Sequence, residues 1–106
     1  MDTRLKKLLE FYNEDPDDPF TIYAIALEYL ASNKEEAKKY FEILLEKHPD
    51  YIGTYYHAAQ LYIDLEFNDK AKETFEKGIA LSEKKNDQHA LKELKSAYQN
   101  FLFENM

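Results

Sequence analysis

Acid–base or metal chemistry in this chain would have to start from three histidines, His48, His57 and His89. His48 precedes Pro49 at an expected helix end, where its charge suits the helix dipole. His57 and Asp64 lie seven residues apart, two turns along one helix face, but two ligands without a third do not make a metal site. His89 falls on a separate helix. The chain has no Cys, no His-Glu-x-x-His, no glycine-rich phosphate loop and no nucleophile motif. The expectation is therefore no catalytic residue, no metal, no cofactor and no enzymatic role. Recognition chemistry is better supplied: there are nine Tyr and seven Phe but no Trp. Tyr packs apolar surface while keeping one polar end satisfied, so some of these rings belong at a half-exposed surface.

Charge narrows the class of partner. The formal net charge is −7, and no Lys/Arg cluster exceeds a pair (Lys6-Lys7, Lys38-Lys39, Lys84-Lys85). Phosphate backbones and anionic membranes both need a concentrated basic face, so neither nucleic acid nor membrane is an expected partner. Lys92 and Lys95 offer a basic rim on the last helix, although a solvated helix face accounts for them more simply. Lys34, Lys38 and Lys39 with Glu35 and Glu36 have the spacing of surface pairs. No apolar run approaches a signal peptide or a membrane span, and Cys is absent. The expectation is a soluble, cytoplasmic protein. A chain of 106 residues suffices for a single domain, 1–106.

Six helices must position these side chains. With only two Gly and three Pro, and abundant Ala, Leu, Glu and Lys, an all-α chain with short turns is expected. The first helix starts at Asp2 or Thr3 and places Leu5, Leu8, Leu9 and Tyr12 on one face. Pro16 and Pro19 break it from a second, capped by Asp17 or Asp18, which turns Ile22, Ile25, Ala26, Tyr29 and Leu30 inward. Ser32 or Asn33 caps a third, with Ala37, Phe41, Leu44 and Leu45. A fourth spans about Tyr51 to Leu65, and a fifth carries Ala71, Phe75, Ile79 and Leu81. Asn86 or Asp87 caps a sixth, with Leu91, Leu94, Ala97, Tyr98, Phe101 and Leu102 in a 3.6-residue period.

Two stretches repeat. Tyr23-Ala24-Ile25-Ala26-Leu27-Glu28-Tyr29-Leu30 is echoed 33 residues later by Tyr56-His57-Ala58-Ala59-Gln60-Leu61-Tyr62-Ile63. Ala37, Phe41 and Leu45 match Ala71, Phe75 and Ile79 at an offset of 34. The chain resembles the tetratricopeptide repeat family, whose 34-residue helix–turn–helix unit reads W-x2-L-G-x2-Y, then A-x3-F, then P. One copy runs Ile22-x2-Ile25-Ala26-x2-Tyr29, Ala37-x3-Phe41, Pro49. The other runs Tyr55-x2-Ala58-Ala59-x2-Tyr62, Ala71-x3-Phe75, with Glu83 in place of Pro. Neither copy has the family Trp or Gly. The resemblance implies a short right-handed α-solenoid: an N-terminal capping helix at 1–14, repeats at 18–49 and 51–83, and a C-terminal capping helix at 86–104. Small Ala26, Ala59, Ala37 and Ala71 let helices approach closely, while Tyr29, Tyr62, Phe41 and Phe75 fill the spaces.

The resemblance also implies a function. First helices of successive repeats in this family line a concave groove that takes a peptide or helix of a partner protein. By helical register, Phe20, Tyr23, Leu27 and Leu30 face that groove from one copy, and Tyr56, His57, Gln60 and Ile63 from the other. The competing reading packs these same side chains within the domain or under the last helix. A family subset resembles a carboxylate clamp built from Lys and Asn, and here those places hold Tyr23, Leu27, Tyr56 and Gln60, so that activity is disfavoured. Two repeats give a groove of less than about 800 Å² per partner, which suits weak or transient binding. The leading expectation is a protein-interaction adaptor. The alternative is a homodimer that buries the aromatic surface or the last helix.

Overall fold

The computed structural model describes residues 3–105; the alternative helix start at Asp2 lies outside the described residues. Six helices follow one another: α1 (Thr3–Glu14), α2 (Pro19–Leu30), α3 (Lys34–Lys47), α4 (Gly53–Asp64), α5 (Asn68–Lys85) and α6 (Gln88–Glu104). They group into two compact units, Met1–Tyr51 and Ile52–Met106.

Side-chain caps settle where three of these helices begin. Of the two candidate caps before α2, Asp18 is the one used: it accepts from the Phe20 N–H at 3.1 Å and from Thr21 Oγ1 at 3.0 Å, with Pro19 in the first turn. Asn33, not Ser32, caps α3 by accepting from the Glu36 N–H at 3.2 Å. Asp87, not Asn86, caps α6 by accepting from the Ala90 N–H at 3.0 Å. Asn86 does a different job. It sits in the left-handed region (φ 55°), and the Asp87 N–H reaches the Ser82 carbonyl at 2.9 Å, closing α5 with a Schellman motif that leads straight into the cap of α6.

The turn from α4 to α5 uses the same device with a less suitable residue. Glu66 takes φ 65°, the Phe67 N–H bonds the Tyr62 carbonyl at 2.8 Å, and the Glu66 N–H bonds the Ile63 carbonyl at 3.0 Å. The rings of Phe67 and Tyr62 meet edge to face at 6.4 Å, the hydrophobic contact that accompanies this motif. α4 starts at Gly53, two residues later than Tyr51, and neither α4 nor α5 has a side-chain cap bond.

In the first unit α2 packs on α3 and α1 packs on α2. Ile22, Ile25, Ala26, Ala37 and Leu44 are fully buried, and an aromatic trio ties the three helices together. Tyr40 of α3 stacks on Tyr29 of α2 at 5.9 Å and meets Tyr12 of α1 edge-on at 5.7 Å. Burial, with the neighbouring Tyr29 and Tyr12 hydroxyls and Glu36, raises the Tyr40 pKa. Arg4 and Glu28 pair across α1 and α2 at 2.6 Å.

In the second unit each of α4, α5 and α6 packs on the other two. Phe75 is fully buried and stacks on Tyr98 at 5.4 Å and against Phe101 at 5.8 Å, so the centre of this unit is aromatic. Small residues let α4 and α5 close: Ala59 and Ala71 have no exposed surface, and Gly78 sits where a Cβ would fall 2.7 Å from the Tyr55 Cβ. Burying a Phe or Leu side chain contributes about 1.5–3 kcal/mol, so Phe75, Leu61 and Leu94 carry much of this core.

Candidate partner-binding cleft

Core packing consumes only part of each repeated stretch. On α2, Ile22, Ile25 and Ala26 are buried, whereas Tyr23, Leu27 and Leu30 are half-buried and Phe20 is 63% exposed. Tyr23 rests against Tyr51, ring centroids 5.5 Å apart. Burial, assisted by the Asp18 charge, raises the Tyr51 pKa. These four α2 side chains share one face of the helix by their spacing.

On α4 the same division holds, and here the leftover face has a second wall. Ala58, Ala59, Leu61 and Tyr62 are buried. Tyr56, Gln60 and Ile63, at i, i+4 and i+7, line an open cleft of about 350 Å³. α6 supplies the facing wall with Glu93, Ser96, Ala97, Asn100 and Glu104, and Phe101 lies at the base. The structure thus brings together three of the four side chains expected from this repeat. The fourth, His57, stands beside the cleft, its ring edge-on to Tyr56 at 5.4 Å. Burial lowers the His57 pKa, and the Glu93 carboxylate partly opposes that shift.

The aromatic end of α6 does not fill the cleft. Tyr98 turns to α5, stacking on Phe75 and donating its hydroxyl hydrogen to Glu76 at 2.8 Å. Phe101 is buried, while Phe103 is 74% exposed. α6 therefore divides by face. Leu94, Tyr98 and Phe101 serve the core; Glu93, Ala97, Asn100 and Glu104 serve the cleft; and Lys92, Lys95 and Gln99 face solvent. The α6 wall went unrecognised at the sequence level, although its signal was present. Glu93, Ala97, Asn100 and Glu104 follow at i, i+4, i+7 and i+11, a stripe of small and polar residues beside the apolar one.

Glu93 and Glu104 are eleven residues apart on one helix, about 16 Å along its axis. Paired carboxylates that do acid–base work in glycoside hydrolysis stand about 5–9.5 Å apart. Among the described residues no group of three His, Asp or Glu is placed to hold a metal ion, and Asp64 is exposed at the end of α4. No helix among them is long and apolar enough to cross a membrane. A second concavity, lined by Thr3, Arg4, Lys7, Leu8 and Phe11, is the outer surface of α1 alone.

Comparison with known proteins bears on this geometry. No protein-family model matches the chain, and no curated protein matches it. Solved structures do. The chain is similar to the crystal structure of a tetratricopeptide repeat domain protein from Salinibacter ruber, with 42% identity, TM-score 0.76, and coverage of 79% of this chain and 94% of that one. The solution structure of a tetratricopeptide repeat domain protein from the same organism matches with 43% identity and TM-score 0.76, covering 82% of this chain and 89% of that one. A protein of Bordetella parapertussis shares the fold at TM-score 0.83 with 17% identity, over 99% of this chain and 92% of that one.

Proposed function

From the premise that this chain belongs to the tetratricopeptide repeat family, a family of interaction scaffolds, we propose that it is a non-catalytic adaptor holding a peptide or helix of a partner protein in the α4–α6 cleft. One observation carries the reading. The part of the repeated stretch that core packing leaves over, Tyr56, Gln60 and Ile63, lines an open cleft instead of being buried. Repeat proteins of this kind present such inner faces as binding surfaces. The rings and amides there combine apolar area with hydrogen-bonding tips, the composition of interface cores. Phe20, Tyr23, Leu27 and Leu30 form the corresponding candidate face on α2. His57 contributes from beside the cleft.

A second reading draws on α6, where Leu102 and Phe103 are exposed at 43% and 74%. That apolar end would suit a homodimer, in which case the solution mass doubles with concentration and Phe103→Asp abolishes the doubling. The adaptor reading is tested by affinity capture from native lysate with the wild-type chain, the Tyr56→Ala/Gln60→Ala variant and a Lys95→Ala control. Proteins captured by wild type and control but lost with the double variant support the cleft. Equal capture by all three overturns it.

A further inference from the structure

The chemistry of the cleft narrows its occupant, an inference that rests on reading the cleft as the partner-facing site. We propose that it takes an extended segment of a partner protein carrying two Lys or Arg side chains four residues apart, one gripped by Glu93 and the other by Glu104.

Charge comes first. The cleft lining contains two carboxylates and no Lys, Arg or His. Neither Glu93 nor Glu104 is held in an ion pair or hydrogen bond among the described residues. The α6 lysines, Lys92 and Lys95, do not line the cleft, so an incoming cation meets no lysine there, and His57 stands beside the cleft rather than in its lining. With a formal charge of −7, the chain as a whole also attracts a cationic segment. An acidic segment would face two like charges without compensation.

Geometry sets the spacing. The two carboxylates mark the ends of one stripe, about 16 Å apart along α6; residues four apart in an extended chain point the same way and stand about 13 Å apart, and the long Lys or Arg stems span the remainder. Between them, Gln60 and Asn100 offer amides and Ser96 a hydroxyl, each able to donate to or accept from a peptide main chain. Ile63, Ala97 and Phe101 provide an apolar base for a side chain pointing down. An extended occupant suits this lining better than a helix: its main-chain N–H and C=O groups are unpaired and can bond the amides and the hydroxyl, whereas a helix has already paired its own.

The test uses the full chain and three pools of synthetic nonapeptides, each randomised over uncharged residues except at two fixed positions. One pool fixes two lysines four residues apart, the second fixes glutamates there, and the third sets the lysines two residues apart. Binding is read by fluorescence anisotropy and located through backbone amide NMR shifts of Gln60, Ser96 and Asn100. The expected result is that the first pool moves those amides and binds at least about fivefold more tightly than the other two. That preference should weaken on raising the salt from 50 to 500 mM and vanish in Glu93→Gln/Glu104→Gln. If all three pools move the same amides with equal affinity, the cleft is a binding site but charge does not read its ligand, and this inference alone is overturned. If no pool moves those amides, both this inference and the cleft reading are overturned.

Discussion

Replacing Gly78 by Ala sets two effects of opposite sign against each other in the middle of α5. In a helix interior Ala is favoured over Gly by about 0.8–1.0 kcal/mol, so propensity alone makes the variant more stable. Packing opposes this. The new Cβ would lie 2.7 Å from the Tyr55 Cβ, 3.1 Å from the Tyr55 Cγ and 3.1 Å from the Leu94 Cδ1. Carbon atoms in ordinary contact stand about 3.5–4.0 Å apart, so α4 and α5 must separate by about 1 Å. Rotamer changes cannot relieve the closest contact, because the Tyr55 Cβ is fixed by its backbone and Tyr55 itself is 4% exposed. Overpacking of this kind costs about 1–3 kcal/mol. The net expectation is destabilisation by about 1 kcal/mol, or a fall in Tm of about 4 °C for a chain of this length. Thermal and urea unfolding followed by circular dichroism measure it. Ala80→Gly at an exposed position of the same helix calibrates the propensity effect in place. A Gly78→Ala variant more stable than wild type by the amount Ala80→Gly loses would refute the reasoning, because α4 and α5 would then not approach closely at Gly78.

Other perturbations have equally definite outcomes. Glu66→Gly removes a side chain from a left-handed position and is expected to raise stability by about 1 kcal/mol in urea titration. Asp87→Ala deletes the cap on the Ala90 N–H and should cost about 1 kcal/mol with a small loss of helicity. Phe75→Ala empties the aromatic centre of the second unit at a cost of about 3–5 kcal/mol, whereas Tyr98→Phe, which removes only an exposed bond to Glu76, changes stability by less than about 0.5 kcal/mol. His57 is held neutral by burial, so its folded pKa lies below its unfolded one, and the unfolded chain binds the extra proton as pH falls through about 6.5. Stability should therefore decline from pH 7 to pH 5, with a smaller decline in His57→Gln.

The architecture was legible in the sequence because spacing and capping carry it. The 33- and 34-residue echoes identified the helix pairs, and all four alanines singled out for close approach, Ala26, Ala37, Ala59 and Ala71, are fully buried. Candidate caps were correct to within one residue, since Asp18, Asn33 and Asp87 each compete with a neighbour of similar chemistry and only backbone geometry decides between them. The α4–α5 turn was hidden because Glu66 gives no sign that it will adopt a left-handed conformation; the motif is held by main-chain bonds and the Phe67–Tyr62 contact. Gly78 was hidden because the family pattern directs attention to the first helix of each pair and to Ala71, whereas the tightest approach to Tyr55 comes two turns further along α5. The last helix was legible as a helix by its apolar stripe, of which Leu94 and Phe101 are buried. That its adjacent polar stripe walls a cleft depends on how α6 packs against α4, which no local pattern encodes.

Site-specific photo-crosslinking tests the central claim, that partners are held in the α4–α6 cleft, most directly. A photoreactive amino acid is placed at Ser96 on the cleft rim, and in a second variant at Lys95, the adjoining residue on the solvent face of α6. In the native host the account predicts adducts with a partner protein from position 96 and none from position 95. Adducts from position 95 with none from position 96 would contradict it.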